Sequence, residues 1–535
     1  MELRNKRAIT LISLVVTIIV LVVLSGVLVA SLKGENGIIK KTEEAVHQTH
    51  DATDVEKIKL SVQAYVISKR KGNKSNLADI INEEDWCEKA TYNETDKTAM
   101  VVLKKCKDIY QVTENGKITS LGTYVEDGIT VNSNDGLDYF LSSDETDITI
   151  KLENDIELSK ELVITEKNVT IYGMGHTIKY SNSYDGTLFN VKSGAGLTID
   201  NVNINGGNVW IWDSTELQNA IEKSKAGQSI YINGNVPTIA ISKGKIITNT
   251  MFQCEGNLTI NNTKISNCYF NGTNNNVVYA NSVENTIPEI TLNNTKITHC
   301  VGNTGLAIYS KNSKIDLLGN SEISDNYCTG GYGGIFDLES SSGLNINGAQ
   351  IKNNIMIAAR GAVCYVNGTS KVILNNGNIN GNLALRQSSS SSASMIECVH
   401  QGKFEMNGGE ITNNTGLLAG AISVRWPDNK YDIHVTLNSG TIKNNSVHIP
   451  TSFSNPTALF TRGNAVIASG MTVHGNITVN DSYGNLTNNG NIVGNVSITN
   501  ANSIVTNNGI IEGDVNATLG TFINNGTVIG LITEP

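Results

Sequence analysis

The chain has 535 residues, 39% of them hydrophobic but only 6% aromatic, and a formal net charge of −10. That length accommodates several domains, and the hydrophobic share supports a core of Ile, Val and Leu rather than of rings. The acidic balance argues against a nucleic-acid partner, which needs a basic face, and eight cysteines in so long a chain do not make a disulfide scaffold.

The N-terminal segment MELRNKRAITLISLVVTIIVLVVLSGVLVASLKGENGII sets Arg4, Lys6 and Arg7 before a stretch without charge from Ala8 to Leu32. A helix over Ile9–Leu32 is about 36 Å long, enough to span a bilayer, with its basic flank held inside. A secretory signal has a shorter apolar core and a small-residue cleavage site after it. Lys6-Arg7-Ala8 followed by Ile9-Thr10-Leu11-Ile12 instead resembles the leader of type IV pilins and pseudopilins, and the following Gly34-Glu35-Asn36-Gly37 with a helical pattern from Ile38 to Lys71 resembles its variant common in Gram-positive anaerobes. The resemblance implies cleavage between Ala8 and Ile9 by a prepilin peptidase, an outward-facing chain held in the cell membrane, and association with pilin or pseudopilin subunits. Two residues depart from the family pattern. Ala8 stands where Gly is usual, and Ser13 stands where mature pilins carry the Glu that registers subunits in a filament. An uncleaved N-terminal anchor is the alternative.

Six segments are expected: a leader over 1–8, a transmembrane and stalk helix over 9–72, and a small α+β head over 73–125. Early coils follow over 126–256 with a short N-capped helix at 214–225, then main repeats over 257–465 and narrower coils over 466–535. In the head, Lys97 to Thr119 has the pattern of a hairpin with Glu114-Asn115-Gly116 as a turn. Cys87 and Cys106 are its only cysteines. Small exported domains with thin cores are often cross-linked, so a disulfide between them is the expected state.

From Leu258 to Asn445 nearly one phrase is written seven times, from LTINNTKISNC to VTLNSGTIKNN, and its final Ile recurs at 265, 297, 323, 351, 379, 411 and 442. A period in this range marks stacked units that cannot bury a core alone. Within each unit, apolar residues two apart open a strand, an isolated Ile follows a corner, and a third apolar run such as GGIFDL or GAVCYV comes next. Three short strands per repeat predict a mainly β fold, a parallel β-helix solenoid in which side chains stack on their equivalents about 4.8 Å away. The phrase Asn-Gly-Gly-x-Ile-x-Asn-Asn, seen at Asn407 to Asn414, resembles the right-handed parallel β-helix superfamily, the pectate-lyase-like and repeat-adhesin group.

Asn326, Asn354, Asn382, Asn414 and Asn445 each follow a repeat Ile by three residues. An Asn there suits a left-handed turn, and its amide can donate to the next copy as a ladder. Cys268 and Cys300 hold the same place in the first two repeats, where a disulfide and two reduced core thiols are both compatible with the pattern. Beyond the repeats, Gly-Asn or Gly-Asp recurs at 475, 494 and 513, a period of 19 that predicts a shorter coil.

The fold hosts both enzymes and binding proteins. Glycoside hydrolysis needs two carboxylates facing one bond, but Asp316, Asp325, Asp337 and Glu339 look scattered, and the polygalacturonase motifs are missing. Asn208-Val209-Trp210-Ile211 is spelled like a lyase motif, yet Trp212-Asp213 follows it rather than Asp-His. No catalytic residue, metal ligand set or cofactor motif is assigned. Insertions at 387–395, 425–432 and 448–456 break the regular coil, and loops on a rigid scaffold carry function. Arg425, Trp426, Asp428 and Tyr431 combine a cation, rings and an acid, the groups that carbohydrate binding uses. The expectation is therefore a non-enzymatic bacterial surface protein, an adhesin or minor pilin-like component whose rod binds carbohydrate or a host surface. A surface-anchored β-helical polysaccharide lyase or glycoside hydrolase is the alternative.

Overall fold

The computed structural model describes residues 38–207, 246–358, 360–386, 393–429, 431–448 and 456–535. The leader with Ala8 and Ile9, the apolar run to Leu32, the helix expected at 214–225 and most of the Ser-rich insertion lie outside the described residues. Among the described residues no helix is long and apolar enough to cross a membrane. The chain divides into two compact units, Met1–Ser120 and Leu121–Pro535.

In the first unit, helix α1 (Ile38–Arg70) buries Ile58, Val62 and Tyr65, a spacing that keeps all three on one face. They pack with Leu77 and Ile81 of the short helix α2 (Leu77–Asn82) and with Ala99, Val101, Tyr110 and Val112 of an antiparallel meander. A capping box starts α2: the Asn76 side chain accepts from the Asp79 N–H at 2.9 Å, and the Asp79 carboxylate accepts from the Asn76 N–H at 2.8 Å. The turn at Glu114–Gly116 is closed by Gly116 N–H donating to Thr113 O at 2.9 Å. The Glu114 carboxylate accepts from the hydroxyls of Tyr65 on α1 and of Tyr92, the latter at 2.6 Å, which holds it below the usual carboxylate range.

Cys87 and Cys106 are not bonded to each other, which corrects the expected disulfide. Each thiol has another neighbour: Cys87 Sγ lies 3.9 Å from Asn82 Oδ1, and Cys106 Sγ lies 3.7 Å from Asp54 Oδ2. A core joining α1, α2 and the meander holds this unit without a cross-link.

The second unit is mainly β, with long parallel sheets wound coil upon coil, consistent with a parallel β-helix. One coil shows the plan. Asn257–Asn261 and Lys264–Ser266 form the first and second strands, Tyr269–Phe270 the third, and Val278–Asn281 the fourth. Each strand pairs in parallel with its equivalent one coil on: Ile260 with Leu292, Ile265 with Ile297, Tyr269 with Val301, and Val278 with Ile308. Four ladders therefore replace the three expected. The third is an eight-strand ladder of short pieces and the fourth has 14 strands. The third is easily missed because Tyr269–Phe270, Val301–Gly302 and Tyr327–Cys328 are too short to show alternation. From Asn464 onward each coil keeps only the first, second and fourth strands, which is why it is shorter. The first-ladder partners then lie 21, 19 and 17 residues apart.

A third helix, α3 (Asn134–Leu141), packs on the three strands of the first coil. Its N-cap is Ser133, whose hydroxyl accepts from Gly136 N–H at 3.2 Å, and it buries Leu137, Phe140 and Leu141. This stretch falls within the early coils expected over 126–256, where the only helix expected was at 214–225, although the Ser cap and the i, i+3, i+4 apolar spacing are present in the sequence.

The five corner asparagines form one continuous row. Asn326 Nδ2 donates to Asn354 Oδ1 at 3.0 Å, Asn354 to Asn382 at 2.9 Å, Asn382 to Asn414 at 3.0 Å and Asn414 to Asn445 at 3.0 Å. The same acceptor oxygen also takes the backbone N–H of the preceding Asn, and the second amide hydrogen goes to the carbonyl of a repeat Ile, as from Asn382 to Ile351 O at 2.9 Å. The left-handed turn is made one residue earlier, by Asp325, Asn353, Asn413 and Asn444, with φ between 55 and 57°. The ladder Asn is thus freed to point inward. Cys268 and Cys300 stand at the head of this row as free buried thiols, donating to Ser266 O at 3.3 Å and Thr298 O at 3.4 Å.

Two outcomes test this description. Asn382→Ala strands the Asn354 N–H and amide together with the Ile351 carbonyl, and it should cost about 3 kcal/mol or more in chemical denaturation. The exposed Asn407→Ala, whose Asn407 belongs to an outer amide row, should change stability by less than about 0.5 kcal/mol. Thiol titration of the unreduced, unfolded chain should count all eight cysteines as free; six would establish one disulfide.

Candidate functional site

Among the described residues, the fourth ladder brings together polar, charged and aromatic side chains from unlike coils. Its strands alternate, so Phe336 and Leu338 or Cys364 and Val366 enter the core while the residue between them sits on the opposite side. Read in register, that outer column runs Tyr279, Tyr309, Asp337, Tyr365, Glu397, Ser423. Tyr279 and Tyr309 stack at 5.3 Å with rings nearly parallel. The loop entering each strand folds over the column. A Cβ on Gly333 would come within 3.0 Å of the Asp337 Cβ, and one on Gly361 within 2.9 Å of the Tyr365 Cβ; both glycines also have positive φ.

Beneath these loops lie two carboxyl side chains, a residue type seldom fully buried. Asp337 is 2% exposed and Glu397 is fully buried. Burial, aided by Glu339 and opposed by Lys311, pushes the Asp337 carboxyl up to about 8, so it carries a proton at neutral pH. Burial also raises Glu397, against Arg425, the Gly361 N–H at 3.0 Å and Arg360. Asp337 Oδ1, Glu397 Oε1 and Ser423 Oγ have no hydrogen-bond partner among the described residues. Three such atoms within four successive rungs are unusual, since buried polar groups are nearly always satisfied.

One end of the column opens to a layered stack. The fourth-ladder register slips between Val399 and His400, leaving Trp426 as the extra residue of a bulge in Ile422–Pro427. Trp426 has φ 47°, a conformation that bulky side chains avoid. Its ring lies between two guanidinium groups, Arg360 at 3.8 Å and Arg425 at 3.9 Å from the centroid. Two guanidiniums that close cannot share a face, so both faces of the indole are covered. Arg360 also lies 5.2 Å from the Tyr332 ring, and Tyr332 packs on Tyr365 at 5.4 Å. Arg425 reaches Glu397 at 3.6 Å, an ion pair too long for a hydrogen bond.

This arrangement corrects the expected constellation. Arg425 and Trp426 do adjoin, but Trp426 has no free face on which a sugar could stack. Asp428 is engaged elsewhere, accepting from Gln401 Nε2 at 3.3 Å and paired with His400 Nδ1 at 2.9 Å. Tyr431 is 79% exposed on the following turn, which Asn429 Oδ1 closes by accepting from the Tyr431 N–H at 2.8 Å. The residues that join Arg425 and Trp426 instead are Arg360, Tyr332, Tyr365 and Glu397, from other coils. Aligning GGIFDL, GAVCYV and MIECV would have placed Asp337, Tyr365 and Glu397 in one column.

In the first unit, Asp54, Cys106 and Asp108 bring one metal-ligating atom each within 4.8 Å of one another, the one such group among the described residues. Asp54 is also paired with Lys57 at 3.0 Å.

No family model matches the chain, and neither does any curated protein or any solved structure.

Asp337 gives a pH signature. Its folded affinity for the proton exceeds that of an ordinary Asp, so its favourable contribution is complete below about pH 4 and is lost as pH rises through about 8. Asp337→Asn should therefore raise the melting temperature at pH 8 by about 2 °C or more and flatten its decline between pH 5 and 8. A pH profile identical to that of the native protein would contradict the assignment.

Proposed function

We propose that the chain is a non-enzymatic bacterial surface protein, an adhesin or minor pilin-like component. A membrane-held stalk presents a right-handed β-helical rod that binds its ligand on the fourth ladder. The observation that carries the binding reading is the Arg360–Trp426–Arg425 stack: a strained bulge holds a tryptophan between two arginines on the outer side of the strands. A bulge of this kind re-aims side chains and is over-represented next to functional sites. The surface reading rests on the uncharged stretch Ala8–Leu32 and the pilin-like residues around Ala8 and Ile9. Prepilin peptidase and pilin or pseudopilin subunits are its partners under this reading, with carbohydrate or a host surface as ligand.

One observation favours the enzymatic alternative. Asp337 and Glu397 stand two rungs apart in one column, roughly 10 Å, close to the carboxylate separation of inverting glycosidases. Binding fits better because neither carboxyl meets solvent, whereas catalytic carboxylates must touch the glycosidic oxygen and a water.

The test uses the chain in its native membrane and on beads. N-terminal mass analysis should give a mature chain starting at Ile9, and an intact Met1 without any Ile9 form would remove the pilin-like part. Beads bearing the full-length protein should adhere to host extracellular matrix, and Asp337→Asn and Glu397→Gln beads should adhere equally. Depolymerisation of a polysaccharide panel, abolished by those two substitutions, would replace binding with hydrolysis or lyase chemistry.

A further inference from the structure

We propose that the Arg360–Trp426–Arg425 stack recognises oxyanions, and that the ligand of this face is an acidic glycan bearing carboxylate or sulfate groups. This rests on the binding reading above and specifies its ligand class.

The argument begins with charge. The protein is acidic overall, yet Arg360, Arg425 and Arg462 converge on this short stretch of the fourth ladder, where both Arg360 and Arg462 act electrostatically on Arg425. Like charges are not gathered without compensation, and the local acids supply little. Asp481 meets Arg462 only at 3.9 Å. Arg360 has no carboxylate within ion-pair distance among the described residues. Its contacts there are the two rings, Tyr332 and Trp426. The buried Arg462 Nε has no hydrogen-bond partner among the described residues.

Geometry then selects the chemistry. A neutral sugar is usually held by stacking its apolar face on an indole, and here the guanidiniums occupy both faces of Trp426. A guanidinium lying flat on a ring keeps its N–H groups directed outward in its own plane, the fork that matches a carboxylate or sulfate. Stacking fixes the orientation of that fork before the ligand arrives, which lowers the ordering cost of binding. The Arg425 and Arg462 side chains are only 15% and 22% exposed, so their charges are poorly screened by water yet reachable at the edge.

The experiment measures binding of heparin, polygalacturonate and dextran to the full-length protein in detergent micelles. The expected result is binding of heparin or polygalacturonate, but not dextran, weakening at least about tenfold between about 50 and 300 mM NaCl. Which polyanion binds tells sulfate from carboxylate. Arg360→Gln should weaken the same binding at least about tenfold at an unchanged melting temperature, and Arg360→Lys should restore it only in part, because a lysine keeps the charge and loses the flat stack. If Arg360→Gln does not fold, the salt series on the native protein decides. Dextran bound as tightly as the polyanions, or polyanion binding indifferent to salt and to Arg360→Gln, would overturn the inference. If beads carrying the protein adhere to matrix while no polyanion binds, the acidic-glycan assignment fails and the adhesin reading stands. If adherence is also absent, both fall.

Discussion

The solenoid depends on how one buried corner is satisfied. Where the chain leaves the second ladder it turns a corner inside the protein, and the backbone N–H of the corner Asn finds its acceptor in a side chain of the next coil. The asparagine amide resolves this because it carries two donors and an acceptor with two lone pairs, and all four are used in the middle of the row. Each coil is thereby locked to the coils on both sides of it. The turn itself is delegated to the preceding residue, which accepts positive φ. The row even serves its neighbours, since the Cys300 N–H donates to Asn326 Oδ1 at 2.9 Å. In the short coils another row does comparable work, with Asn488 donating to Asn507 at 2.8 Å and Asn507 to Asn524 at 2.9 Å.

The repeat spacing, the inward Ile and the asparagine positions were all legible in the sequence because each residue obeys a local rule repeated seven times. What escaped had local causes too. The third ladder is made of two- to four-residue strands, too brief for any period. The turn was assigned to the ladder Asn rather than to its predecessor, although the preceding residues Asp325, Asn353, Gly381, Asn413 and Asn444 are all of the types that accept positive φ. Helix α3 falls inside the early coils, where no helix was expected before 214. The disulfide in the head was inferred from the cost of small domains, but the buried faces of α1 and α2 supply the missing core.

The candidate site was only half legible, for a different reason. Arg425 and Trp426 attract notice because they interrupt a coil. Arg360, Tyr332 and Glu397 sit inside coils that read as ordinary, and they become neighbours only once the register is known. A solenoid converts sequence distances of about thirty residues into single rungs, so its functional columns must be read down the repeats. The cation–π layer belongs to this geometry: each contact is modest, but Tyr365, Tyr332, Arg360, Trp426 and Arg425 are ordered together by the coils that carry them.

Coil length varies, and where it varies matters. The asparagine row steps by 28, 28, 32 and 31 residues without a break in its hydrogen bonds. The extra residues fall in connections entering or leaving the fourth ladder, such as those at 387–395 and 428–432. Every other edge of the coil is interchangeable with the next. Whole coils can therefore be duplicated or deleted in the gene with no core residue redesigned, because the new amide meets the same partners above and below. Length and surface can then change separately: the number of coils sets how long the solenoid is, while the connections along one edge are free to diversify.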